Sequence, residues 1–398
     1  MKKVVVVGAG YAGLSGALEL RRRLPDSDTV TVISGSKYFI FYPSLIWMVQ
    51  YERDLADISF PIQPVLAEAG LEFVNAWVNT INPLDKTVAL STGQTLNYDK
   101  LMIAAGCAWD WDAVPGLGPP PAGYTVSILS PQAALDAQAA WTAFLIDPGP
   151  IVIGATLNTG LFGVAYELAL NLDMALRRDN LRDRASITFV TPEPFLGHFG
   201  HGGLGNSRHI IEEAFAKRSI LSITEAQIDH IEPDAVVLAG QRRLSSRFTM
   251  IVPPYRGIKP VRDVPNLADE RGHIPVDEFY RSLAYPDIFA AGVAVQVKSP
   301  VRTTLPIGVL VPGTVSAEMG RGAAANIAAD LGHGDAVSKP ADGLKSFYVF
   351  DSGSHGVFMS LGAQPWLNVQ LNIPGPWSHW AKIAAERYQI WQLQSGRY

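Results

Sequence analysis

Three glycines near the amino terminus have the spacing that a nucleotide's phosphates require. Gly8, Gly10 and Gly13 stand in "VVVVGAGYAGLSGALEL", a G-x-G-x-x-G run with Ala12 inside it. The first glycine permits a tight turn. The second lets a pyrophosphate approach the backbone, and the third lets a helix pack closely on a strand. The helix that follows would aim its free N–H groups at the phosphates. Other chemically capable residues are scattered. His198 and His201 stand three apart in "GHFGHGG", where the flanking glycines predict a loop and no two-histidine metal site. Glu167 falls in "AYEL" at the start of a predicted helix; a site carboxylate and a solvent-facing helix residue are both open for it. Cys107 is the one cysteine, so a disulfide within the chain and a multi-cysteine metal site are excluded.

The elements that must position these residues follow from the pattern around them. Val4 to Val7 predict a buried strand, Leu14, Ala17, Leu18 and Leu20 recur at helical spacing, and Thr29 to Ile33 predict the next strand. Strand, glycines, helix and second strand in that order make a strong dinucleotide-binding signature. The second strand runs out in Ser34-Gly35-Ser36, where an acid ordinarily binds the adenosine ribose. Ser34 offers a hydroxyl in its place, and the missing acid weakens a pure NAD reading. "YDKLMIAAG" predicts a strand leading to Ala105 and Gly106, and "YPDIFAAGVAV" a strand from Tyr285 leading to Gly292 and Val293, with Val276-Asp277 as an entering strand. "IVIGATLNTGLFGVAYEL", from Ile151, opens like a second βαβ unit with a helix over Ala165 to Leu170. Yet Asn158, Thr159 and Gly160 lengthen its loop, and no G-x-G-x-x-G passes through it. The proline-rich "AVPGLGPPPAGY" marks a crossing between domains. The expected fold class is α/β with two Rossmann-like domains of the dinucleotide-binding type and a C-terminal amphipathic helical segment. One domain would comprise residues 1–112 and 273–330, the second 113–272, and the C-terminal region 331–398.

Composition narrows the partners. With 398 residues, 48% hydrophobic and 17% charged, the chain can bury more than one core. A formal net charge of −5, with no basic run beyond Arg21-Arg22-Arg23, leaves no nucleic-acid footprint. No stretch reaches the roughly 20 apolar residues of a membrane span. The sequence runs from Met1-Lys2-Lys3 straight into a strand, without a secretory leader. A single cysteine suits a reducing compartment, so a cytoplasmic location is expected. Near the carboxyl end, Trp377, Trp380, Ala384, Tyr388 and Trp391 recur at helical spacing, while Lys382, Glu386, Arg387, Gln389 and Gln392 take other faces. Rings on one face suit a lipid interface, so the protein is expected to lie peripherally on a membrane surface.

The motifs "GAGYAGLSGALEL", "YFIFYPSLIW", "YDKLMIAAG", "IGATLNTGLFGVAYEL", "EPFLGHFGHGGLG", "DIFAAGVAV" and "WSHWAKIAAERYQIW" together resemble the sulfide:quinone oxidoreductase family. Its neighbours are the flavocytochrome c sulfide dehydrogenases and type II NADH dehydrogenases. The resemblance implies FAD, a site for a small-molecule electron donor, and a quinone pocket opening toward the membrane. It places Pro43 beside the flavin, Ala105 and Gly106 on the segment returning to the FAD domain, and Gly292 and Val293 at the ribityl chain. It makes Glu167 a carboxylate near the flavin and His198 a proton carrier. The family's redox cysteines would fall at Leu129, at Leu161 and near Tyr348, and its lysine near the flavin at about Val311. None is present. Leucine and tyrosine cannot hold sulfane sulfur, because the thiolate is the competent nucleophile.

The expected function is thus an FAD-dependent oxidoreductase passing electrons from an unidentified donor to a quinone without a cysteine polysulfide relay. With no cysteine outside position 107, FAD is expected to be non-covalent. A type II NADH:quinone oxidoreductase and a non-catalytic FAD-binding scaffold or partner subunit stay open, as does a homo-oligomer.

Overall fold

The structure, a computed structural model, describes residues 1–340, 346–351, 356–361, 373–375 and 377–396. Its first sheet grows from the valine run. β1 (Lys3–Val7) buries four residues in succession, the signature of a strand covered on both faces of a parallel sheet. α1 (Tyr11–Arg23) follows, then β2 (Thr29–Ser34), β3 (Glu72–Asn75) and β4 (Lys100–Ile103). After α2 (Pro131–Ile146), the second sheet begins at β5 (Ile151–Ala155) and continues through α3 (Phe162–Arg178), β6 (Ile187–Val190), α4 (Ser207–Lys217), β7 (Leu221–Ile223) and β8 (Phe248–Val252). The chain then returns to the first sheet with β9 (Ile288–Ala290) and α5 (Gly313–Asp330), and α6 (Trp377–Ser395) closes it.

The first sheet has the order β9-β4-β1-β2-β3 and the second β7-β6-β5-β8. Every pairing in both is parallel. Each sheet is interrupted by the same insertion, a three-stranded antiparallel meander: Val78–Asn82 with its two partners before β4, and Ile228–Glu232 with its two before β8. The chain thus builds one α/β plan twice. One core gathers Val6, Leu14, Ile103, Phe289 and Met319, and another gathers Ile153, Tyr166, Phe189, Phe215 and Met250. α1 and α5 cross on glycine: a side chain on Gly320 would run into the carbonyl of Ala12.

Some elements differ from the sequence pattern. α3 begins at Phe162 and runs to Arg178, well beyond Leu170, because its buried face carries through Leu176. The strand expected from Tyr285 shrinks to Ile288–Ala290 and passes into a 3-10 turn at Gly292–Ala294. No strand enters at Val276-Asp277. The Asp277 carboxylate accepts from the backbone N–H groups of Phe279 and Arg281, both at 2.9 Å, and bends the chain into a turn. On α6 the expected aromatic face is exposed, with Trp377, Trp380, Tyr388 and Trp391 between 47% and 70% accessible. Its opposite side departs from expectation: Lys382 and Glu386 are buried.

Candidate functional site

The strands β1, β2, β4 and β9 all end on one edge of the first sheet, and the three glycines stand there in distinct environments. Gly8 has φ +101°, and a Cβ on it would collide with the carbonyl of Ala104. A Cβ on Gly13 would collide with the carbonyl of Gly8. Gly10 has an ordinary φ of −77°, is exposed, and a Cβ there would meet nothing within 4 Å. The fold needs glycine at 8 and 13, whereas at 10 it leaves open space at the amino end of α1. Gly106, at φ +71°, faces open space as well. Gly292 (φ +70°) places a Cβ position 3.1 Å from the Ala12 side chain and brings Val293 to the same edge. A Cβ on Gly313, at the start of α5, would come within 2.8 Å of the Tyr11 ring, so two helix amino termini open on this crevice. Tyr11 also meets Phe39 and Phe41 edge-on at 5.1 and 6.1 Å, and its hydroxyl is buried with no partner among the described residues. Pro43 lies exposed in the 3-10 turn Tyr42–Ser44. Ser34 ends β2, its hydroxyl accepting from the Ser36 N–H at 3.2 Å. These residues fit FAD. The glycine turn and the α1 terminus suit the pyrophosphate, Ser34 a ribose hydroxyl, and Ala105, Gly106, Gly292 and Val293 the remainder.

The equivalent edge of the second sheet is filled by the chain itself. Asn158 N–H donates to the carbonyl of Pro306 at 2.8 Å, and Gly308 N–H to that of Thr159 at 2.7 Å. A Cβ on Gly160 would strike the carbonyl of Val309, and one on Gly200 that of Gly308. The 306–309 segment therefore lies across the turn that follows β5. Glu193, just beyond β6, is fully buried. Its carboxylate accepts from the Tyr166 hydroxyl (2.6 Å), the Thr191 hydroxyl (2.8 Å) and the Phe199 N–H (2.8 Å). Burial nonetheless pushes its pKa up to about 7. These bonds fasten the 197–203 loop, in which Gly197, Phe199, Gly200, Gly202 and Gly203 all have positive φ. His198 is buried in that loop, its Nδ1 accepting from the Gly200 N–H at 3.2 Å. Burial, and then His201, pull its pKa below the ordinary histidine value. His201 reaches the carbonyl of Leu310 through Nε2 at 3.2 Å.

Glu167 does not face solvent. It lies 4% exposed in α3, and Lys382 of α6 donates to it at 2.9 Å. Lys382 also sits 4.8 Å from the Trp47 ring centre, and Arg53 5.0 Å from it. One turn along α6, Glu386 accepts from the Ser44 hydroxyl and from Arg53 Nε at 3.2 Å. Sequence reading missed this cluster. Its only signal was a Lys–Glu pair at i, i+4 opposite the aromatic stripe, a pattern usual on a solvated face. Leu129 is buried and Leu161 partly buried against the second core. Val311 packs on the first core. The side chain of Tyr348 lies outside the described residues. Burial pushes the Cys107 thiol up to about 12, so it stays protonated at neutral pH.

Two α/β units of one plan, the first with an open glycine crevice, define an FAD-dependent oxidoreductase with paired dinucleotide-binding folds. The pyridine nucleotide-disulphide oxidoreductase family matches residues 2–171. Within this class the chain belongs to the sulfide-quinone reductase family. It is 32% identical to the sulfide-quinone reductase of Aquifex aeolicus over 99% of its own length and 92% of that protein. The X-ray structure of the sulfide:quinone oxidoreductase from that bacterium matches with a TM-score of 0.92 at 31% identity, covering 100% of this chain and 92% of the other. An NADH dehydrogenase-like protein of Mycobacterium tuberculosis is 29% identical over 73% of this chain and 72% of its own.

Proposed function

We propose that this protein passes electrons from a small-molecule donor to a quinone, that the donor is not a nicotinamide nucleotide, and that no cysteine relay takes part. The observation that carries the exclusion of NADH is the filled second crevice. A nicotinamide nucleotide there needs an open glycine turn after the first strand, and NADH ordinarily an acid after the second for its ribose. The turn is crossed by residues 306–309, and the acid, Glu193, already accepts three hydrogen bonds out of contact with water. The quinone follows from family membership.

Non-covalent FAD, held by the Gly8–Gly13 turn, Ser34, Ala105, Gly106, Gly292 and Val293, would supply acceptance of two electrons from the donor and their release to the quinone. The chain's own part is orientation and proton handling. His198 is held neutral, with Nδ1 occupied by the Gly200 N–H, so Nε2 carries its exchangeable proton. Glu167 is a positioning residue that fixes α6 through Lys382. The domains are proposed to divide as 1–112 with 273–330, 113–272, and 331–398. Among the described residues no helix is long and apolar enough to cross a membrane. The exposed rings of α6 support peripheral attachment at the cytoplasmic face.

The test is anaerobic reduction of the flavin by NADH, NADPH, sulfide and small thiols in turn, then re-oxidation by decylubiquinone. NADH and NADPH should leave the flavin oxidised. Rapid bleaching by either would overturn the exclusion. If no reductant bleaches it and no quinone re-oxidises chemically reduced protein, the scaffold alternative replaces this reading.

A further inference from the structure

The missing ribose acid after β2 leaves the adenosine end of the crevice short of one strong contact. The structure offers a replacement from the neighbouring strand. In a sheet of this order the phosphates lie at the carboxyl end of the first strand and the ribose at the end of the second, so the base joined to that ribose falls near the same strand ends, on the side away from the phosphates. Here the third strand is β3, which ends at Asn75. Asn75 and Ala76 tie that end to β2: the Asn75 side-chain amide and the Ala76 N–H both donate to the carbonyl of Ser34, at 2.9 and 3.1 Å. The next residue is Trp77.

The Trp77 ring lies on Gly35. A Cβ on Gly35 would collide with the fused edge of the indole, its Cδ2, Cε2 and Cζ2 atoms. Glycine there is explained by this approach, not by backbone geometry. The backbone of Trp77 is anchored on its other side, exchanging hydrogen bonds with Ser91 at 3.1 and 2.8 Å. Yet the residue is 70% exposed, among the largest apolar exposures in the chain. An indole seated on one face, anchored through its backbone and open on the other face is a stacking platform. It stands at the strand ends where the base belongs.

We infer that the open face of Trp77 stacks on the adenine of FAD, and that Gly35-Trp77 supplies the adenosine recognition the absent acid would have given. This rests on the FAD assignment. Stacking of a base on an aromatic ring contributes about 1–3 kcal/mol, equivalent to roughly 5- to 140-fold in affinity. FMN, which lacks the adenosine, cannot use it.

The experiment is titration of the flavin-stripped full chain with FAD and with FMN, following flavin and tryptophan fluorescence. Wild type should prefer FAD. Trp77→Ala should weaken FAD by roughly 5- to 140-fold and leave FMN unchanged, so the FAD-to-FMN preference falls; Trp77→Phe should restore most of it. Gly35→Ala, which displaces the indole, should resemble Trp77→Ala. A Trp77→Ala protein that keeps the wild-type preference overturns the inference while leaving FAD assigned. A wild-type chain that binds FMN as well as FAD, or neither, overturns the cofactor assignment and this inference with it.

Discussion

Gly10 and Gly13 belong to one motif but answer to different demands. Gly13 is required by the fold, since any side chain would press on the Gly8 carbonyl; the fold makes no such demand at Gly10, whose proposed reason is the pyrophosphate of FAD. Gly13→Ala should therefore lower the stability of flavin-free protein by about 1–3 kcal/mol, the usual cost of overpacking. Gly10→Val should leave flavin-free stability within about 0.5 kcal/mol, as surface changes do, while FAD affinity collapses. Thermal melts of the stripped proteins, beside FAD titrations, check both; a large loss of flavin-free stability in Gly10→Val would show that its side of the turn is structural. Glu193 gives a second prediction at this scale. Its pKa is raised to about 7 from an ordinary 4.5. Between those values the folded protein holds a proton that the unfolded chain has released. Stability must then fall as pH rises from about 4.5 to about 7. Glu193→Gln cannot titrate, so its melting temperature should show a flatter slope across that window. Identical slopes would mean that the carboxyl is ionised in the fold throughout.

The C-terminal helix α6 is fastened by ions and exposed by rings, the reverse of an ordinary surface helix. Lys382 and Glu386 turn inward to Glu167, Ser44 and Arg53, around Trp47. Removing one partner of a buried pair strands the other and costs about 3–5 kcal/mol, whereas replacing both with apolar groups is often neutral. Lys382→Met should thus destabilise the protein strongly, and Glu167→Leu with Lys382→Met should recover most of the loss. A double variant no better than the single would show that each charge has separate work. The outward face makes the opposite prediction. Trp380 and Trp391 are 70% and 50% exposed, so Trp380→Ala with Trp391→Ala should leave the melting temperature unchanged. If α6 rests on lipid, where each buried ring contributes roughly 1–3 kcal/mol, the same pair should reduce flotation with liposomes. Equal flotation of variant and wild type would remove α6 from the membrane contact.

Across the whole molecule, one α/β plan serves two ends. In the first unit the crevice is open and glycine-lined; in the second the returning chain fills it. Sulfide chemistry meets a comparable block. On the proposed alignment leucines take two of the family's cysteine positions, and the lone thiol is partly buried and held protonated. If, as proposed, no cysteine relay takes part, the covalent intermediate that divides the oxidation into easier steps is lost. Sulfide-dependent reduction of decylubiquinone should therefore stay near background, and iodoacetamide should change no activity the protein has. Turnover with sulfide that alkylation abolishes would bring Cys107 into the site.

Much of this was legible without coordinates. The first unit followed from local rules: a valine run makes a buried strand, and glycine at fixed offsets makes the turn. The lost cysteines are a matter of residue type, and the outward rings of α6 followed from helical spacing. These features depend on neighbours a few residues apart. The rest depends on residues far apart in the chain. Glu167 and Lys382 meet across 215 positions, and no periodicity could tell that a Lys–Glu pair on a helix faces inward. The 306–309 segment gave no sign that it closes the turn at Asn158–Gly160, because backbone hydrogen bonds to a loop leave no mark on side-chain pattern. Gly35 stood only as the residue where the second strand runs out, and the Trp77 ring resting on it supplies its reason. The sequence by itself determined the kind of fold and left the chain with a single cysteine. Tertiary structure decided which crevice is open and which charges are buried, because both depend on long-range packing that local spacing does not encode.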